Sequence, residues 1–143
     1  MHLHLLVDEQ SGQVRCDFVP GPELIGFEGV IHGGALATVL DEAMVWAATW
    51  HGKRFCLCGE LTIRYRRPAE VGMRLVVRAQ VESARSRMVQ TTGEVVSQSG
   101  EVLATATAKY VPLSLERHRE FVATAIDEPA TARAARLLQQ DET

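Results

Sequence analysis

One run of the chain, GGALATVLDEAMVWAATW at residues 33 to 50, carries a long helical period, and the segments around it in the body read as strand. Leu36, Val39, Leu40, Ala43, Ala47 and Trp50 recur at helical spacing, and His51-Gly52 supplies a stop. Ahead of it, residues 3–8 and 13–20 read as two strands joined by a turn at Ser11-Gly12. GPELIGFEGVI, at 21 to 31, reads as a glycine-rich loop. Behind the helix, 55–68, 73–84, 87–99 and 101–113 read as four strands. Short turns at Glu70-Val71-Gly72, Ala84-Arg85-Ser86 and Ser99-Gly100 predict antiparallel neighbours. A single helix with one apolar stripe has to bury that stripe on the sheet. The expected class is therefore α+β, one helix lying on an antiparallel sheet.

The length of 143 residues fits one domain, with the body at 1–113. The segment 114–143, rich in Ala, Arg and Glu, is expected to be one or two short helices broken near Pro129, or more readily a loose or partner-packed tail. A net charge of −3 gives no footprint for nucleic acid. No apolar run reaches the roughly 18 residues of a membrane span, and the N-terminus has no secretory pattern. A cytoplasmic protein is expected. The three cysteines are odd in number, and Cys56 and Cys58 are too closely spaced for a zinc site, so free thiols and no metal are expected.

The helix carries two acids, Asp41 and Glu42. On a wheel Asp41 falls about 140° from Leu36, away from the stripe that should meet the sheet. Its angular neighbours are Ala37, Met44, Val45 and Ala48, small or apolar where a solvated face would be charged. Something is expected to approach that face closely. A carboxylate there is partly desolvated and so a better base or nucleophile, although an acidic pair on a helix is often merely solvated. Glu42 lies on the other flank, near Thr38 and Thr49.

The helix opens on His32-Gly33-Gly34. Its first N–H groups lack intrahelical acceptors and sit at the positive end of the dipole. Glycines leave them open to a polarised carbonyl oxygen, or to a phosphate, or simply permit close packing. Gly33 and Asp41 are eight residues apart, about 12 Å along the axis. A carboxylate and an oxyanion donor must each come within about 3 Å of one reacting group. Two antiparallel copies of the helix satisfy this where one does not, so a homodimer with shared sites is expected.

Gly29, His32, Gly33 and Gly34, with the acid nine residues after the histidine, form a pattern that continues through Tyr65, Arg67, Pro68 and Gly72 to Gly100, Val102, Leu103, Ala104 and Ala106. It resembles the hotdog-fold acyl-CoA thioesterases of the phenylacetate-degradation type, over roughly residues 12 to 113. The resemblance implies a long central helix wrapped by an antiparallel sheet and hydrolysis of an acyl-CoA thioester. It implies that Asp41 activates water or attacks the carbonyl, that the Gly34 amide polarises the thioester, and that His32 orders the entry turn, with Gly33 beside it. Cys58, Glu60, Arg67, Arg85 and Arg87 become candidates for contact with substrate and the phosphates of CoA. CoA belongs to the substrate, so no separate cofactor is implied. A homodimer, itself pairing into a tetramer, is implied too. Where family members carry Asn or Gln this chain has Gly26, and where others carry Ser or Thr it has Cys58. A non-catalytic acyl-CoA-binding protein therefore stands as the alternative, followed by a hotdog hydratase or dehydratase. The absence of a histidine on the helix beyond His32 disfavours the last of these. Met44, Trp46 and Trp50 read as core or as the wall of an acyl pocket.

Overall fold

The computed structural model describes residues 3–127 and 132–140. In chain order these form β1 (Leu5–Val7), β2 (Val14–Phe18), β3 (Ile25–Phe27), β4 (Val30–Ile31), α1 (Gly33–Gly52), β5 (Cys56–Tyr65), β6 (Leu75–Arg85), β7 (Met88–Ser97), β8 (Val102–Pro112), α2 (Leu115–Asp127) and α3 (Ala132–Gln140). Six strands make one antiparallel sheet in the order β1-β2-β6-β7-β8-β5. The sheet wraps α1, which touches β2, β5, β6, β7 and β8. This is the hotdog arrangement.

Alternation drives the sheet. In β6, Leu75, Val77 and Ala79 are buried, and their neighbours are more open. In β8, Ala104, Ala106, Ala108 and Tyr110 are all buried, so this strand presents a row of small residues with one large one at the end. Gly93 marks the closest approach of helix and sheet. A Cβ there would stand 3.2 Å from Met44 and 3.3 Å from Leu40.

The structure corrects four sequence expectations. First, the turn at residues 70–72 does not join neighbours: β5 pairs β8, not β6. The connection crosses from β5 at one sheet edge, past β8 and β7, to the interior strand β6, held by Ile31 N–H to Ala69 O at 2.8 Å and Gly72 N–H to Pro20 O at 3.0 Å. Second, the glycine-rich loop contains a small ribbon, β3 with β4. Its turn places Glu28 and Gly29 at φ of 44° and 78°, the double left-handed geometry of a tight hairpin. Third, α1 runs through His51-Gly52 and ends one residue later. Lys53 takes the left-handed cap, its N–H donating to Thr49 O and its ammonium resting 3.0 Å above the Trp50 ring. Fourth, where the C-terminal segment is described it takes the helical alternative, as α2 and α3. His118 of α2 is buried, and its Nδ1 accepts from Phe55 N–H at 3.0 Å. Phe55 packs edge-on against Trp46 and tilted against Phe121. Trp46 is thereby tied to the underside of α2. The expected break near Pro129 lies outside the described residues.

Candidate active site

Curvature of the sheet widens the buried arc of α1 beyond the predicted stripe. Met44 and Ala48, expected on the open face, are 0% and 1% exposed. Ala37 and Val45 are half-buried, while Thr38 and Glu42 face solvent. Asp41 sits at the border of this arc, and its carboxylate turns toward the sheet rather than away from it. The Tyr110 hydroxyl donates to Asp41 Oδ1 at 2.6 Å and lies 3.2 Å from the Asp41 backbone oxygen. Tyr110 is fully buried, and Cys58 is directly opposite it on β5. Asp41, Tyr110 and Cys58 thus converge from helix and sheet.

The electrostatics follow from that convergence. Burial, then the hydrogen bond to the Asp41 carboxylate and its charge, push the Tyr110 phenol well above its ordinary range, so it stays a proton donor. Cys58 is raised by desolvation and then by the Asp41 charge. The resulting neutral thiol argues against Cys58 as a nucleophile. Glu42 is raised by partial desolvation and by Asp41 beside it.

The helix start is organised differently. His32 is the N-cap, and its Nδ1 accepts the Gly34 N–H at 2.8 Å. The Gly34 amide, expected to polarise a carbonyl, therefore has an acceptor within its own turn. Gly33 occupies the first helical position, where the N–H lies outside the helix ladder. Its carbonyl accepts from the Tyr65 hydroxyl at 2.6 Å, and a Cβ on Gly33 would meet the Tyr65 ring at 3.2 Å. Gly26 has a physical reason as well. A Cβ there would stand 3.0 Å from His32 Cα, so an Asn or Gln would require His32 to give by a few tenths of an ångström.

The remaining candidates do not gather in one chain. Glu60 pairs with half-buried Lys109 at 3.7 Å and Arg67 with Glu101 at 3.1 Å, the other three being exposed. Arg85 and Arg87 sit at the β6–β7 turn, at the end of the sheet near Cys56, and Arg67 follows Tyr65 at the other end. That separation is about 30 Å at the rise of a strand. Arg85 also lines a cleft of about 300 Å³ with Ala48, Arg54 and Cys56 at the C-terminal end of α1. Among the described residues no group of three or more His, Cys, Asp or Glu is placed to hold a metal. Tyr110 is the residue that sequence reasoning missed. A tyrosine at an inward position after three inward alanines needs a partner for its hydroxyl, and that was the available signal.

The thioesterase superfamily profile matches residues 28–104, which span the cap, α1 and the sheet from β5 into β8. The chain belongs to the thioesterase superfamily. It is 34% identical over 115 residues to the acyl-coenzyme A thioesterase THEM4 of Xenopus laevis, covering 76% of this chain and 49% of that protein. The chain thus spans about half the length of that curated relative. A mutant of the phenylacetic acid degradation protein PaaI from Thermus thermophilus is 25% identical. Its TM-score is 0.70, over 78% of this chain and 93% of that one. The protein smu.793 of Streptococcus mutans UA159, solved bound to acetyl CoA, superposes with a TM-score of 0.74. It is 17% identical over 80% of this chain and 90% of that one, which shows the shared fold.

Proposed function

We propose that this superfamily member hydrolyses acyl-CoA thioesters, with Asp41 as the base that activates water. The observation that carries this reading is a carboxylate fixed on the half-buried flank of the central helix, in a fold whose named relatives include acyl-CoA thioesterases. Asp41 takes a proton from water as the water oxygen bonds to the thioester carbon. The tetrahedral intermediate collapses with cleavage of the C–S bond, and Asp41 returns the proton to the departing sulfur. Water thereby supplies OH to the acid and H to the CoA thiol. The developing oxyanion needs a donor, and the Gly33 N–H is the better assignment because the Gly34 N–H is engaged by His32.

The spacing of about 12 Å between Gly33 and Asp41 supports a reading in which the two halves of a site come from different subunits of a homodimer. Dimers of dimers fit the same reading. Arg67, Arg85 and Arg87 are candidates for the phosphates of CoA, and their separation in one chain makes a two-chain site easier to build. The thiols of Cys16, Cys56 and Cys58 are free, which suits a reducing, cytoplasmic setting. No helix among the described residues is long and apolar enough to cross a membrane.

The test is release of free thiol from a panel of acyl-CoAs by wild type and Asp41→Asn. The amide preserves shape and the Tyr110 contact. Turnover that falls by about 100-fold or more in the variant supports the base role. Tight binding of acyl-CoA without turnover in wild type would favour the non-catalytic alternative.

A further inference from the structure

We infer that Tyr110 is a positioning residue for Asp41, dedicating one carboxylate oxygen to the sheet and leaving the other to act on water. The inference rests on the thioesterase reading and adds a residue to it. The geometry is specific. Tyr110 projects from the last inward position of β8 but one, is 0% exposed, and reaches across to α1, 69 residues earlier in the chain. Its hydroxyl has one proton. At 2.6 Å that proton goes to Oδ1, and the 3.2 Å contact to the Asp41 carbonyl is secondary.

An aspartate side chain otherwise turns freely about its last torsion. The fixed phenol removes that freedom, because rotation would forfeit a charge-assisted hydrogen bond and strand a buried hydroxyl. Oδ2 is then the oxygen left to receive the proton from water. The groups that face this carboxylate are Tyr110 from β8, Cys58 from β5 and Glu42 on α1 itself. Of these, Tyr110 is a buried donor in direct contact, Cys58 is a weak donor, and Glu42 carries the same sign of charge as Asp41. Tyr110 therefore sets the orientation of the carboxylate and donates to its charged form.

The experiment compares pH–rate profiles of wild type and Tyr110→Phe on one acyl-CoA that wild type turns over. The expected result is a plateau kcat lower by roughly tenfold, with KM within about twofold and an acid limb shifted up by about one pH unit. In the Asp41→Asn background, Tyr110→Phe should leave the residual rate unchanged, since the base it orients is gone. An acid limb that does not move, or an equal loss of rate in the Asp41→Asn background, overturns the inference and leaves the thioesterase reading standing. Failure of wild type to release thiol from any acyl-CoA overturns both. If Tyr110→Phe does not fold, 3-fluorotyrosine labelling of a Tyr65→Phe protein leaves Tyr110 as the labelled phenol, since the chain has two tyrosines. The more acidic phenol is a stronger donor, so the acid limb should move to lower pH relative to unlabelled Tyr65→Phe. A shift the other way, or none, sinks the idea.

Discussion

The start and the middle of α1 solve the same problem, keeping polar groups ready at a helix surface, by opposite means. At the start, His32 caps Gly34 across two residues, in the open, with a bond any isolated turn could form. In the middle, Asp41 depends on Tyr110, which only the closed sheet delivers. A local device survives small changes elsewhere in the fold, whereas a long-range one exists only when the sheet is in register. On the proposed reading the difference separates two functions as well: the start would offer the Gly33 N–H to a carbonyl oxygen, and the middle would offer an acceptor to water.

The largest effect that would break this division is loss of the donor. Gly33→Pro removes the N–H at a position where proline suits a helix. His32, at φ −56° and ψ 131°, already has the extended backbone required before proline. The Tyr65 ring must give by a few tenths of an ångström. We expect kcat for thioester hydrolysis to fall about 100- to 1,000-fold, with little change in thermal stability. An unchanged kcat would move the donor role away from Gly33.

The same contrast explains what could be read from the sequence. The six strands, the single long helix and the His-Gly-Gly cap follow from short-range period and turn chemistry, and those patterns are explicit in the residues. Pairing of β5 with β8 was not legible, because the short turn at residues 70–72 looks identical whether the chain doubles back or crosses the sheet. Asp41 stood out as an acid among small residues, but its direction was misread. A helix wheel assumes a flat partner, and this sheet curves far enough to bury Met44 and Ala48. Tyr110 signalled only that a buried hydroxyl needs a partner, and nothing local points that hydroxyl to a helix 69 residues away.

A smaller effect sharpens where the buried arc of α1 ends. Met44 and Val45 are adjacent, yet Met44 is fully buried against Gly93 and Val45 is half-buried. Met44→Ala should cost about 2–3 kcal/mol in urea unfolding, through a cavity between α1 and β7. Val45→Ala should cost less in the monomer. If the outer face of α1 is the subunit interface, its effect should instead be larger at high protein concentration and shrink on dilution, because only the populated dimer feels the loss. A loss from Val45→Ala equal to that from Met44→Ala and independent of concentration would return Val45 to the core of one chain.

The smallest effect concerns the flank where helix and sheet close on protonated groups. Burial pushes the Cys56 thiol up to about 11, from 9.0 in an unfolded chain. Between those values the unfolded chain releases a proton that the folded protein retains, so stability falls as pH rises from 9 to 11. Full transfer is worth on the order of 2 kcal/mol. Cys16 and Cys58 are also raised and contribute slopes that start at the same pH, and Tyr110 adds another from its ordinary value of 10.0 upward. Cys56→Ala should therefore reduce the alkaline slope rather than abolish it, and the reduction should already be measurable between pH 9 and 10, before the tyrosine contributes. Urea midpoints at pH 8, 9, 10 and 11 for both proteins decide the matter. Parallel decline of the two would show that the Cys56 thiol gains no protection from the flank, leaving Tyr110 and the other two cysteines as the source of the slope.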